Sequence, residues 1–334
     1  MTDAGDDTAE SLPFVSMVIP VRNGARHLPA LFNSLAANQY PADRYETVVA
    51  DHSSNDGTSA IARSAGARVI SVSRGPVSAV RNAGARAASG AVLGFVDADH
   101  EIGPDWLSAA AAALNSPDVG VVGDLCRAPA NGTWVQQTFD RLRARATRAT
   151  DVSWLGSGNM AVRREAFEAV GGFDESLEVC EDVDLCQRMR AAGWRVRAEP
   201  LMRNVHFGDP RSLGDVVRGE RWRGRDNLRV SFRERPPLRA WPGILTPVLA
   251  LAGLTGLSGS VVLAPWLGIK PALAAIVLLA VVVGVRTSVM IMRPPTANPI
   301  VWLRAVAVAA AFELGRALAL VAGASHATRS GSEP

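Results

Sequence analysis

The sequence predicts an α/β fold: a Rossmann-like, mostly parallel sheet with helices on both faces, followed by C-terminal transmembrane helices. Three observations carry this reading. Short apolar runs alternate with amphipathic stretches from Val15 to Leu114, the pattern of βα units. Two of those runs end in carboxylates, Asp51 and Asp97, and ligands of parallel sheets bind beyond the carboxyl ends of the strands. From Ala240 to Ile269 the chain carries no charged residue for 30 positions, while about 20 apolar residues suffice for a helix to cross a bilayer.

In order, Val15–Pro20 is a buried strand, Leu28–Ala37 an amphipathic helix and Glu46–Asp51 a second strand. Thr58–Ser64 is helical, Arg68–Val72 a strand, and Val77–Ala88 a helix opened by Pro76, whose missing N–H costs little in a first turn. Val92–Val96 is a strand running into Asp97-Ala98-Asp99, and Pro104–Leu114 is a helix. Beyond it, Val119–Leu125 reads as a strand, Trp134–Thr147 as a helix with Arg141, Arg145 and Arg148 on one side, and Gly156–Asn159 as a turn. A short strand, the helices Arg164–Val170 and Glu181–Ala192 and the strand Trp194–Ala198 follow.

These elements divide the chain into a tail (1–13), an α/β domain (14–210), an Arg-rich juxtamembrane segment (211–240), two to three membrane helices (about 243–264, 271–292 and 300–322) and a second tail (324–334). The third apolar segment carries Arg304, Glu313 and Arg316; the last two are three apart and share a helix face.

Composition excludes several classes. At 48% apolar and 20% charged residues the chain is not disordered, and no repeat of solenoid period is present. A net charge of +3 argues against a general nucleic-acid binder. Three cysteines, Cys126, Cys180 and Cys186, fit neither a disulfide framework nor a CxxC metal site, so a reducing compartment is expected. The acidic, polar N-terminus has neither the basic nor the apolar region of a secretory signal, which predicts a cytoplasmic α/β domain.

Three acidic constellations carry the chemistry. Asp51 to Thr58 places a carboxylate and small polar residues at a strand end, where they suit a nucleobase or ribose; Asp56-Gly57-Thr58 equally reads as a turn and helix cap. Asp97 and Asp99, at a strand-to-loop junction, can both turn toward one hard divalent ion. Glu181, Asp182 and Asp184 open a helix, where acids cap the dipole or supply a general base.

Taken together these segments resemble glycosyltransferase family 2, inverting enzymes of the GT-A fold, here of a membrane-anchored bacterial type. VSMVIPVRNGARHL is similar to the family's first strand and loop, VVADHSSNDGT to its nucleotide-binding strand end, and RGPVSAVRNAGARAASGAVLGFVDAD to the helix leading into its DxD motif. GSGNMAVRREAFEAVGGFDE and EDVDLCQRMRAAGW are similar to its acceptor-side segments. The resemblance implies donor contacts from Asp51, Arg81, Asp97 and the backbone near Pro20, and a Mg²⁺ or Mn²⁺ ion on Asp99 with His206 reaching back to it. It implies Asp182 as catalytic base, and Gly158, Asn159, Glu181, Asp184, Arg221 and Trp222 on the acceptor side. His52, His100 and Cys186 are read as neighbours rather than actors.

The implied reaction moves a sugar from a nucleotide-diphosphate sugar to a hydroxyl of a lipid-linked or other envelope acceptor next to the cell membrane. The protein would be multi-pass with its catalytic domain in the cytoplasm. A polyprenyl-phosphate glycosyltransferase and a non-catalytic membrane scaffold are the alternatives. The EDVDL segment speaks against the first and the intact acidic set against the second. The QxxRW motif of processive synthases is altered, with Arg218 where the Gln stands before Arg221-Trp222.

Overall fold

The computed structural model describes residues 12–143, 145–233, 238 and 241–330. Residues 1–11 of the expected N-terminal tail, 234–237, 239 and 240 of the Arg-rich segment, and 331–334 lie outside them. The chain forms two compact units: Met1–Arg127 with Arg145–Gly208, and Ala128–Ala144 with Asp209–Pro334. The segment 128–144, which its place in the chain assigned to the α/β domain, thus belongs with the C-terminal helices.

The first unit is built on one sheet. Strand β1 (Val15–Val21) is fully buried and pairs in parallel with β2 (Tyr45–Asp51) and β4 (Val92–Val96); β3 (Arg68–Ser71) extends the parallel half beyond β2. Buried on both faces, β1 and β4 read as continuous apolar runs rather than as alternation. The other half is mixed. Antiparallel β8 (Asn159–Arg163) lies between β4 and β6 (Val119–Gly123), and β9 (Arg195–Ala198) and the short β7 (Thr150–Asp151) complete the order β3-β2-β1-β4-β8-β6-β9-β7.

Helices α1 (Leu28–Ala36), α2 (Thr58–Ser64), α3 (Val77–Ala87) and α4 (Trp106–Leu114) follow the strands as the apolar periodicity requires. The core divides between the two faces of the sheet, one cluster around Met17, Leu31 and Trp106, the other around Phe95, Phe167 and Phe173. Helix α3 approaches β1 closely through Gly84, where a Cβ would come within 2.4 Å of Val18.

A small ribbon, whose pairing the sequence reading did not give, completes the unit. β5 (His100–Ile102) pairs antiparallel with β10 (Asn204–His206), setting His100 directly opposite His206.

The second unit is helical. Helix α5 (Trp134–Asp140) opens with a Thr133/Gln136 capping box, and the expected run to Thr147 stops at Asp140. Beyond its end, the Arg side chains are taken up elsewhere. Arg143 grips Asp140 and Asp209, and Arg141 donates from Nε to the Met290 carbonyl at 2.7 Å. In the first unit, α6 (Arg164–Ala169) follows β8, and α7 (Glu181–Ala191) precedes β9.

The second unit continues with α8 (Leu213–Arg223), whose capping box is Ser212/Asp215, and the short α9 (Asn227–Ser231). It ends with α10 (Trp241–Leu267), α11 (Lys270–Ile291) and α12 (Pro299–Ser330). Within the described residues, Trp241–Val262 and Lys270–Ile291 are long and apolar enough to cross a bilayer, at 22 residues each. Helix α12 is longer than the expected segment 300–322, and two of its charges pair within the unit: Arg316 meets Glu220 and Glu313 meets Arg286.

Candidate functional site

The carboxyl ends of β1, β2 and β4 define the site. Val21 and Asp51 are register partners, so the loops after β1 and β2 leave the sheet side by side. They are stitched together: Asn23 N–H donates to Ser54 Oγ at 2.8 Å, Gly24 N–H to Thr58 Oγ1 at 2.9 Å and Ala25 N–H to Asp56 at 3.0 Å. The Asp56-Gly57-Thr58 sequence, which allowed either function or capping, therefore does structural work. Asn23 and Ser53 take the left-handed conformation, with φ near 54° and 55°.

Asp51 is buried at the centre of this arrangement and accepts hydrogen bonds from Ser54 N–H and the Ser59 hydroxyl. Burial raises its pKa, but the bonds from Ser54 and Ser59 outweigh it and hold the carboxyl below its usual range. Pro20 is buried in β1, opposite Ala50.

Asp97 and Asp99 follow β4. Arg81, buried on α3, donates to Asp97 Oδ1 and to Glu181 Oε1, each at 2.7 Å. Its guanidinium thus ties the DxD junction to the first turn of α7. Burial pushes the Asp97 carboxyl up, while Arg81 and His100 pull it down further, and the net shift is downward. Arg81, expected among the donor contacts, spends both terminal nitrogens on this bridge.

Asp99 faces two imidazoles. His206 Nε2 lies 3.4 Å from Oδ2 and His100 Nε2 lies 3.7 Å from Oδ1. One ligand atom from each of Asp99, His100 and His206 lies within 4.8 Å of the others, a spacing that fits one metal ion. Burial raises the Asp99 pKa, but hydrogen bonding and charge from His206, then His100, bring it to about 2, which keeps an anionic ligand ready. Two glycines leave this corner open. A Cβ at Gly158 would come within 2.8 Å of Asp97 Oδ2, and one at Gly208 would collide with Asp99.

The Gly156–Asn159 turn also meets the acids of α7. Ser157 Oγ donates to Glu181 Oε1 at 3.2 Å, and a Cβ at Gly156 would touch Asp182. One loop therefore has Asp97 at one glycine and Asp182 at the other. Cys180, which leads into α7, holds φ near 62°, so the turn presenting Asp182 is itself strained. Asp182 is half-buried, and burial together with the adjacent Glu181 raises its pKa to about 7. A helix N-terminus favours the ionised form, but desolvation and the like charge of Glu181 outweigh the dipole.

The remaining expected residues scatter. Asn159 is fully buried: its Oδ1 accepts from Trp106 Nε1, and its Nδ2 donates to the Asp124 and Met202 carbonyls, so it braces the sheet and presents nothing to an acceptor. Asp184 is buried and paired with Arg188, because two residues along a helix rotate it about 200° from Asp182. Glu181 engages Arg81 and Ser157. Arg221 and Trp222 are exposed on α8 in the second unit.

The sequence reading passed over Ser157 and read His100 only as a neighbour. A hydroxyl in a Gly-rich turn carries no signal of its own. The signal for His100 was its position directly after the DxD acids, and only the β5/β10 register gave it meaning.

Residues 16–171 match the family described as Glycosyl transferase family 2. This stretch of the chain is a family 2 glycosyltransferase domain. Among known proteins it is similar to glycosyltransferase AglE of Haloferax volcanii, 28% identical over 239 residues, covering 69% of this chain and 78% of that protein. It is also similar to a beta-monoglucosyldiacylglycerol synthase of Synechocystis, 26% identical over 58% of this chain, spanning 43% of the relative. A mannosyltransferase of Pyrobaculum calidifontis, solved with GDP-Man and Mn²⁺, superposes with a TM-score of 0.58 at 18% identity, over 92% of this chain and 88% of that one. That likeness establishes the GT-A fold of this transferase.

Proposed function

We propose that this glycosyltransferase transfers a sugar, with inversion, from a nucleotide-diphosphate sugar to a hydroxyl of a lipid-linked or membrane-adjacent acceptor. The observation that carries the proposal is the arrangement around the Gly156–Gly158 loop. The Asp97/Asp99 anionic corner stands at one glycine and the half-buried Asp182, of raised pKa, at the other. A direct displacement needs this pairing, with leaving-group stabilisation on one side and a proton acceptor on the other.

Asp51 is assigned to the nucleobase, and Asp97 to the ribose, oriented by Arg81. Asp99 and His206 would hold a Mg²⁺ or Mn²⁺ ion, whose charge stabilises the departing diphosphate. Asp182 accepts the acceptor's hydroxyl proton as its oxygen bonds to the anomeric carbon and the bond to the diphosphate breaks. The raised pKa suits a base that must lose its proton near neutral pH. Gly158, expected on the acceptor side, lies against Asp97 and so on the donor side of this reading, and Glu181 serves as the anchor of Arg81.

The two apolar helices and the Arg-rich stretch before them support membrane attachment and an acceptor at the bilayer surface. The diacylglycerol-linked product named for the cyanobacterial relative supports a lipid acceptor. Membranes of an expressing host, given a panel of radiolabelled nucleotide sugars and Mn²⁺, should label a lipid-extractable product. Asp99→Asn and excess chelator should each abolish it. Undiminished labelling in chelator would defeat the metal-dependent reading, and label confined to a water-soluble product would defeat the lipid acceptor.

A further inference from the structure

Asp99 and His206 are the expected ligands, and the ribbon beyond the DxD junction brings a second imidazole to them. Because β5 and β10 pair with His206 opposite His100, the two rings lie 4.4 Å apart between centroids. Each turns its Nε2 toward a different oxygen of the same carboxylate, Asp99. The other ring nitrogen of His100, Nδ1, lies 4.0 Å from Cys126 Sγ, a contact that orients the ring with Nε2 toward Asp99. The side chain of His100 is 2% exposed, so its orientation is set by packing and not by solvent. Gly158 lies against His100 Cε1 and Gly208 against His206 Nε2, and both lack the Cβ that would intrude there.

The geometry points to His100 as a metal ligand alongside Asp99 and His206, giving a site of two imidazoles and one carboxylate that favours first-row transition ions such as Mn²⁺ over Mg²⁺. This rests on the metal-dependent reading above and goes beyond it by assigning a third ligand and a preference. Mg²⁺ dehydrates reluctantly and takes oxygen ligands in near-ideal octahedra. Imidazole suits the transition metals, so each nitrogen in the set shifts the preference away from Mg²⁺. The open positions would be left to water and diphosphate oxygens.

The test uses the full chain in detergent micelles with Mn²⁺ alone as probe. Pulsed electron paramagnetic resonance should show two imidazole nitrogens coupled to bound Mn²⁺. Mg²⁺ should displace that ion only in large excess, on the order of 100-fold. His100→Gln should leave one nitrogen coupling and weaken Mn²⁺ binding by about 10-fold or more, the scale seen even for outer-shell partners of a metal ligand. The wild-type spectrum needs no variant, so a poorly folded His100→Gln protein does not protect the proposal. A single nitrogen coupling in the wild type, or equal competition by Mg²⁺, overturns it while the metal-dependent reading stands. Absence of any bound Mn²⁺ overturns both.

Discussion

At the scale of single residues, Asp182 is the group whose chemistry is most exposed to test. Asp182→Asn should lower turnover by about 10²-fold or more, the usual scale for a lost general base, with donor affinity near that of the wild type. A variant retaining more than about a tenth of wild-type turnover would rule out the assignment. Its raised pKa also sets a pH dependence: kcat/KM should rise with pH and level off above about 7, as the carboxylate forms. The stability effect has the opposite sign. The protonated folded form is favoured in full below the unfolded value of 3.8, and that contribution is lost as pH rises to about 7. Asp182→Asn carries no such proton. Its apparent Tm should match the wild type near pH 4 and exceed it at pH 8; a wild type that stays equally stable at pH 8 would show that Asp182 ionises without penalty.

At the scale of elements, the helical unit depends on charges turned inward. Glu313 on α12 is buried and receives Arg286 Nε of α11 at 2.8 Å, with the guanidinium over the Phe312 ring at 4.2 Å. Arg316, one turn on from Phe312, donates to Glu220 of α8, which also holds Arg223. Breaking one side of a buried pair leaves an uncompensated charge and costs about 3–5 kcal/mol, whereas replacing both partners by apolar groups is often neutral. Arg286→Met should therefore lower the apparent Tm in detergent strongly, and Arg286→Met with Glu313→Met should recover most of the loss. No recovery in the double variant would mean that packing against Phe312, and not charge, is what Arg286 contributes. The contact between α8 and α12 is close at Gly315, where a Cβ would come within 2.7 Å of the Val217 carbonyl, so Gly315→Leu should separate the two helices.

At the scale of the whole molecule, charge distribution sets the expected orientation. Nine Arg lie between Arg211 and Arg239, just before the first apolar helix, while the short loop after it holds only Lys270. The positive-inside rule predicts that the Arg-rich side, and with it the catalytic domain, faces the cytoplasm, and that Arg286 and Arg293 return to that side. If α12 crosses as well, the C-terminus lies outside. A Cys placed at Ser332 in a background lacking Cys126, Cys180 and Cys186 should then react with an impermeant thiol reagent in intact cells. Labelling only after lysis would place it inside and show that α12 does not cross.

The chain's own residues, read in order, already determine the parallel half of the sheet, because buried strands and their following helices are written in local apolar periodicity. They also determine Asp51, Asp97 and Asp99 as candidate site residues, because a strand that ends in a carboxylate delivers it to the sheet's ligand-binding edge whatever the rest of the chain does. The two long apolar helices follow from composition alone. Only the tertiary structure decided what depends on partners distant in sequence. Arg81 bridges Asp97 and Glu181, which stand 84 positions apart in the chain. Asn159 and Asp184 turned into the core, since rotation about a strand or helix axis is settled by packing and not by residue type. His100 met His206 through a ribbon register that no local period encodes, and residues 128–144 joined the helical unit because Arg141 and Arg143 found their acceptors there. Burial beside Glu181, a property of the folded environment, moved Asp182 from an ordinary helix-capping acid to a group that titrates near neutrality.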